Sequence, residues 1–228
     1  DEESGKVLYY KNKDMRMYPA STTKLMTALL FSQNMNKNSI LRYSSNAKRQ
    51  EPSKLNLPLE SRMNGDNAMR AMLVFSANDI AYMIGENVSG SSERFASLMN
   101  EKAKELGMKN THFANPNGLP DENHYTTAYD LSLLAREDYK NDWIMNDLGL
   151  KSTYVKTLSN RGYVLYTTNK LLGQDGCIAG KTGYTNEAGR CLVAYFKKGD
   201  KVLIGVILKD KDDDSLCKDM KKIISACS

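Results

Sequence analysis

Three short clusters hold side chains that could carry out acyl transfer together. Ser21-Thr22-Thr23-Lys24 sets a hydroxyl nucleophile one helical turn from an amine, the pairing by which a serine is activated. Ser76-Ala77-Asn78 adds a second hydroxyl as a proton carrier, with an amide beside it. Lys181-Thr182-Gly183 offers a cation and a hydroxyl to a carboxylate, and its glycine lets a ligand backbone approach a strand edge. In chain order they read S-x-x-K, S-x-N and K-T-G, a set that supplies nucleophile, base, proton carrier and anion site.

Spacing alone does not select these copies. S-x-x-K also occurs at Ser45–Lys48 and Ser215–Lys218, and S-x-N at Ser32–Asn34 and Ser44–Asn46. Context selects. Ser21 precedes Leu25-Met26-Thr27-Ala28-Leu29-Leu30-Phe31, a run apolar nearly all round, which predicts a buried helix with Ser21 as its cap and Lys24 facing inward. A buried lysine loses its proton readily, and a helix N-terminus favours a developing oxyanion. The other S-x-x-K copies lie in a polar stretch and among aspartates, where both residues are solvated. Lys181-Thr182-Gly183 is unique in the sequence and follows an apolar strand start. The blander alternatives are a capping Ser and Asn at 76–78 and a hairpin turn with a solvated lysine at 181–183.

The elements that must position these residues follow from periodicity and punctuation. Residues 7–18 read as a hairpin with its turn at Lys11–Asp14. A polar, irregular stretch from about Asn34 to Asn64 contains Pro52 and Pro58. Helices are expected from Asp66 to Phe75 and Asp79 to Val88, which leaves Ser76-Ala77-Asn78 at their junction, then from Ser92 to Leu106 and Thr127 to Arg136. Beyond Lys151 the pattern becomes strands: Tyr154-Val155, Gly162–Tyr166, Cys177–Thr182, Arg190–Phe196 and Lys201–Leu208, before a last helix from Asp213 to Ala226. Short turns make the sheet antiparallel, and the first hairpin is expected to join it. The fold class is α/β of the α+β type, an antiparallel sheet flanked by a helical cluster. One catalytic domain spans 1–228, its sheet part from about 1–30 and 151–228 and its helical part about 31–150.

Composition bounds the rest. The 228 residues are 41% hydrophobic and carry a formal charge of +5, spread over interspersed Lys, Glu and Asp. That charge suits solvated helices, and no cluster of Arg with aromatics suggests nucleic-acid readout. No apolar run is long enough to span a membrane, and the N-terminus lacks signal-peptide character. Four cysteines without a C-x-x-C pair, and two histidines, give no zinc site. Cys177 and Cys191 could bridge neighbouring strands, but free, partly buried thiols fit better. His112 and His124 read as structural or surface residues.

The residues around the motifs extend the match. Pro19-Ala20-Ser21-Thr22-Thr23-Lys24-Leu25-Met26-Thr27-Ala28, Ser76-Ala77-Asn78-Asp79 and Gly180-Lys181-Thr182-Gly183-Tyr184-Thr185 resemble the D-alanyl-D-alanine carboxypeptidases, the low-molecular-mass penicillin-binding proteins. Weaker likenesses run through Leu106-Gly107-Met108, Thr111, Asn115-Pro116, Gly118-Leu119 and Thr168-Asn169-Lys170-Leu171-Leu172. The resemblance implies a β-lactamase/transpeptidase-like fold and a serine D,D-carboxypeptidase acting on peptidoglycan stem peptides that end in D-Ala-D-Ala, outside the cytoplasmic membrane. It implies Ser21 as nucleophile, Lys24 as base and Ser76 as proton carrier. Asn78, Lys181, Thr182, Gly183 and Tyr184 would bind substrate, with the Ser21 and Tyr184 N–H groups forming the oxyanion site. β-Lactams would acylate Ser21, and no metal or organic cofactor is needed. Family members usually have an apolar strand ahead of the Ser4-Gly5-Lys6-Val7 turn, and many have an all-β domain and an amphipathic anchor after the catalytic domain. This sequence matches none of these, so membrane contact would come only through segments outside it.

Three competing readings share the motifs. A class A-like β-lactamase needs a positioned Glu, and Glu122-Asn123-His124-Tyr125 is a poor match to E-x-x-L-N. A transpeptidase would admit an amine in place of water. A slow or non-catalytic β-lactam or muropeptide sensor could keep Ser21, Lys24 and Lys181 intact.

Overall fold

A helix without a polar face has to be surrounded, and α1 (Lys24–Asn34) is: every residue from Lys24 to Phe31 is buried. Burying Leu25, Leu29, Leu30 or Phe31 contributes about 1.5–3 kcal/mol each, so this helix anchors the core. The computed structural model describes residues 1–227. After α1, the polar stretch is more ordered than its composition suggests. Two three-residue strands, β1 (Ile40–Arg42) and β2 (Arg62–Asn64), pair antiparallel around the single-turn α2 (Ser45–Lys48). Leu41, Tyr43, Ala47, Leu55, Leu57 and Met63 point inward from it, too sparsely spaced to show a period.

The helical cluster continues with α3 (Gly65–Leu73), α4 (Asn78–Ser89), α5 (Ser92–Glu105), α6 (Ala128–Tyr139) and α7 (Asp142–Leu148), all packed on α1. Several of their starts are set by side chains accepting backbone N–H groups: Asn64 for α3, Ser91 for α5, Thr127 for α6 and Asn141 for α7. Expected and observed helices agree within a few residues, while α7 has no counterpart among the expected elements.

Two sheets follow. β3 (Ser152–Lys156) and β4 (Gly162–Tyr166) form a hairpin, and β5 (Cys177–Thr185), β6 (Gly189–Lys198) and β7 (Lys201–Asp210) form an antiparallel sheet in that order. β6 is buried on both faces. Val193 and Tyr195 enter the main core, while Leu192, Ala194 and Phe196 meet Leu216, Met220 and Ile224 of α8 (Asp213–Ala226). Two-residue alternation thus divides one strand between two apolar layers.

Two expectations need correction. Residues 7–18 form no hairpin, because Lys13 is drawn onto α6 instead: the Tyr129 N–H donates to the Lys13 carbonyl, and the ammonium lies over the Tyr129 ring. Met17 makes only an isolated bridge to Thr126. Nor does this segment join the sheet. It faces β7 across a groove of about 780 Å³, and the Glu2 N–H to Val202 carbonyl bond ties the turn before it to β7. Cys177 and Cys191 are free thiols, as expected; the register pairs Cys177 with Phe196 and Cys191 with Gly183.

Candidate active site

Ser21 does not cap α1. It lies in a 3-10 turn, Ala20–Thr23, that runs directly into Lys24, and no side chain caps either helix. Its hydroxyl faces Lys24 instead, with Nζ 2.8 Å from Oγ. Lys24 Nζ has two further neighbours, Asn78 Oδ1 at 2.7 Å and the Asn117 carbonyl at 2.7 Å. Asn78 itself is fixed: its Nδ2 donates to the Glu51 and Pro52 carbonyls, which leaves Oδ1 aimed at the lysine.

This arrangement sets the direction of the amine. Both the Asn78 Oδ1 and the Asn117 carbonyl can only accept. A neutral amine has two N–H donors and one lone pair, so the donors go to these oxygens and the lone pair meets the Ser21 O–H. Neutrality is favoured by the surroundings. Complete burial pushes the Lys24 pKa well below its ordinary value, the Lys181 charge pushes it the same way, and the carboxylate of Asp79 opposes both.

Lys181 is the second buried amine. Its Nζ donates to Ser76 Oγ at 2.9 Å and to the Thr182 carbonyl at 3.0 Å, and burial lowers its pKa to about 7. Ser76 reaches it from the turn between α3 and α4, where its backbone takes a left-handed conformation, φ +67°. That departure from helical geometry ends α3 at Leu73, short of the expected Phe75, and such strain is held where the surroundings over-determine it.

Gly183 brings the third motif to the first. A Cβ built there would stand 2.9 Å from both the Pro19 carbonyl oxygen and the Ser21 nitrogen, so only glycine lets β5 lie against the Ser21 turn. Thr182 Oγ1 is hydrogen-bonded to Thr168 Oγ1, and Tyr184 is half exposed beside them with the Arg190 guanidinium over its ring. Ser21, Lys24, Ser76, Asn78, Lys181, Thr182, Gly183 and Tyr184 are thereby gathered at one junction of turn, helix ends and strand. The other copies of the short motifs stay apart. Lys48 Nζ bonds the Leu57 carbonyl, and the Ser32 and Asn34 side chains bond carbonyls of their own helix.

Residues outside the motifs complete the site. Asp79 is fully buried and accepts from Tyr43 Oη and from the Leu55, Asn56 and Ile80 N–H groups, fastening the loop whose carbonyls hold Asn78. Asn117 contributes its carbonyl from the Asn115-Pro116-Asn117-Gly118 turn. The turn was legible in the sequence; a backbone acceptor in it was not. No group of three or more metal-binding side chains occurs among the described residues.

Comparison with known proteins bears on the same junction. A family described as D-alanyl-D-alanine carboxypeptidase matches residues 1–212. The carboxypeptidase DacF of Bacillus subtilis is 39% identical over 216 residues, covering 91% of this chain and 55% of that protein. The D-alanyl-D-alanine carboxypeptidase of Streptomyces sp. K15 is 29% identical over 240 residues, covering 97% of this chain and 82% of that protein. A point mutant of the Streptomyces K15 DD-transpeptidase superposes with a TM-score of 0.93 at 27% identity, covering 99% of this chain and 94% of that one. The chain spans about half the length of the curated relatives it matches first. With the family match running through all three motifs, the chain belongs to the D-alanyl-D-alanine carboxypeptidase family.

Proposed function

We propose that the chain is a serine D,D-carboxypeptidase that removes the terminal D-alanine from peptidoglycan stem peptides through an acyl-enzyme on Ser21. The observation that carries this reading is the Lys24 amine, fully buried, 2.8 Å from Ser21 Oγ and 2.7 Å from each of two carbonyl-type oxygens, Asn78 Oδ1 and the Asn117 carbonyl.

Ser21 Oγ attacks the carbonyl carbon of the penultimate D-alanine while its proton passes to Lys24 Nζ. The oxyanion forms between the Ser21 and Tyr184 N–H groups, which the Gly183 approach brings together. Lys181 and Thr182 hold the terminal carboxylate, which restricts cleavage to the last residue. As the C–N bond breaks, the proton taken up by Lys24 reaches the departing amine by way of the Ser76 hydroxyl, which is held by Lys181 and gives one proton as it receives one, so that Lys24 is neutral again. Water then attacks the ester and returns the Ser21 hydroxyl. Asn78 was expected to orient the substrate's amide. Its Oδ1 and both Nδ2 hydrogens are engaged by Lys24, Glu51 and Pro52, so its role here is to aim the base.

A β-lactam presents the same amide in a ring, and its amine leaving group stays tethered after acylation, so it should occupy Ser21 for long periods. The natural substrate places this chemistry outside the cytoplasmic membrane. No helix among the described residues is long and apolar enough to cross a membrane.

The test is D-alanine release from a peptide ending in D-Ala-D-Ala, with Ser21→Ala alongside. Release that disappears in the variant supports the reading. Acylation by penicillin without release points to a sensor, and release that survives in Ser21→Ala overturns the assignment.

A further inference from the structure

Lys24 can aim its lone pair at Ser21 only while the Asn117 carbonyl stays in place, and that carbonyl belongs to a loop, not to a helix or strand. Three hydrogen bonds fasten this loop to one side of the nucleophile's turn and α1. Lys24 Nζ donates to the Asn117 carbonyl, Thr27 Oγ1 donates to the Pro116 carbonyl at 2.6 Å, and Thr23 Oγ1 meets His124 Nε2 at 2.8 Å. The first two are made by the loop's own backbone. The third is made by a ring from outside it.

The second nitrogen of that ring defines its state. His124 Nδ1 accepts the Ala114 N–H at 3.1 Å, so the ring proton sits on Nε2 and donates to Thr23 Oγ1. The imidazole is 1% exposed and lies edge-on to Phe113. Burial keeps it neutral, with a pKa lowered to about 4; Asp121 pulls the other way, and His112 and Lys24 add to the lowering. His124 is thus a two-ended strap from the start of the loop to Thr23, the residue just before Lys24. Gly118 shows how closely the two sides approach: a Cβ there would stand 1.9 Å from the Ala20 carbonyl oxygen and 2.9 Å from Thr23 Oγ1.

We infer that His124 is a positioning residue for acylation, holding the 114–118 loop to the Ser21 turn through Thr23 so that the Asn117 carbonyl orients the Lys24 amine. The inference rests on the carboxypeptidase reading for its chemistry, but it concerns the acylation step alone.

Stopped-flow acylation by a fluorescent penicillin separates the non-covalent binding constant from the rate constant at saturation, and D-alanine release is measured beside it. His124→Phe keeps the ring's bulk and removes both nitrogens, while Thr23→Val removes the acceptor at nearly constant volume. Each should lower the saturating rate constant roughly tenfold to a hundredfold with little change in binding. The double variant should be no slower than the slower single one, because both changes break the same link. His124→Gln, which retains an N–H directed at Thr23, and Thr23→Ser should stay near the unaltered protein. A Thr23→Val protein that is folded by circular dichroism and acylates at the unaltered rate overturns the inference, as do independent, multiplying effects in the double variant. Normal acylation without D-alanine release removes the carboxypeptidase reading and leaves this test intact. A protein that no β-lactam acylates removes both.

Discussion

Lys24 and Lys181 are both buried amines, and their neighbours give them different tasks. Lys24 faces two fixed acceptors and a hydroxyl, a setting for a base. Lys181 faces one hydroxyl and one carbonyl, with burial holding its pKa near about 7, so an arriving carboxylate would restore its proton. As pH rises through about 7 the free protein loses the Lys181 cation, so kcat/KM for a carboxylate-terminated peptide should fall on the alkaline side. A pH profile of D-alanine release checks this, and Lys181→Arg should remove that alkaline limb even at reduced overall activity. At Asn78 the direction is also fixed. Asn78→Asp places a carboxylate 2.7 Å from Lys24 and stabilises the ammonium, so acylation at pH 7 should fall by roughly a hundredfold or more. Raising the pH should recover part of that loss, whereas a purely steric defect would be insensitive to pH.

At the scale of elements, the site depends on two close approaches that glycine alone permits. Gly118 has φ +84° and no room for a Cβ beneath the Ala20 carbonyl, so Gly118→Ala should cost more than ~2 kcal/mol and be visible as a lowered Tm. Gly183→Ala is milder sterically, since its contacts at 2.9 Å can be relieved by moving β5 outward. It should therefore reduce acylation by more than it reduces Tm. Equal losses in both would mean that the strand's place beside Ser21 is not what the glycine secures. The buried α1, the strands β5 to β7 and the closing α8 were legible because their apolar residues run continuously or alternate with a clear period. The 3-10 turn holding Ser21 was not, because a serine before an apolar run looks the same whether its hydroxyl caps the helix or meets Lys24. The failed 7–18 hairpin has a similar cause. Val7-Leu8-Tyr9-Tyr10 has strand composition, but pairing is decided by a neighbouring edge, and this segment stands across a groove from β7.

Over the whole molecule, buried ionisable groups tie stability to pH in opposing directions. His124 has a folded pKa of about 4 against an ordinary 6.5, so its contribution is present above pH 6.5 and lost as pH falls toward 4, on the order of 3 kcal/mol in total. Asp138 acts the other way. It is fully buried, neither carboxyl oxygen has a protein partner, and its pKa is raised well above the ordinary value, so the neutral acid is favoured and the fold is disfavoured as pH rises above about 4. Asp138→Asn should therefore raise Tm at pH 8 and change it little at pH 4, as thermal melts at the two values would show. The amino-acid sequence by itself determined the three motifs, the buried helix behind the first, the helix junction at Ser76–Asn78 and the strand carrying Lys181. Each of these is written in local residue order and periodicity. Only the tertiary structure decided which atoms meet: the Asn117 carbonyl on Lys24, Asp79 under the loop that holds Asn78, His124 on Thr23 and the Gly183 backbone against Ser21. These contacts join residues far apart in the chain, several through backbone groups that every residue carries. No side-chain pattern marks them, and packing alone selects which of them is used.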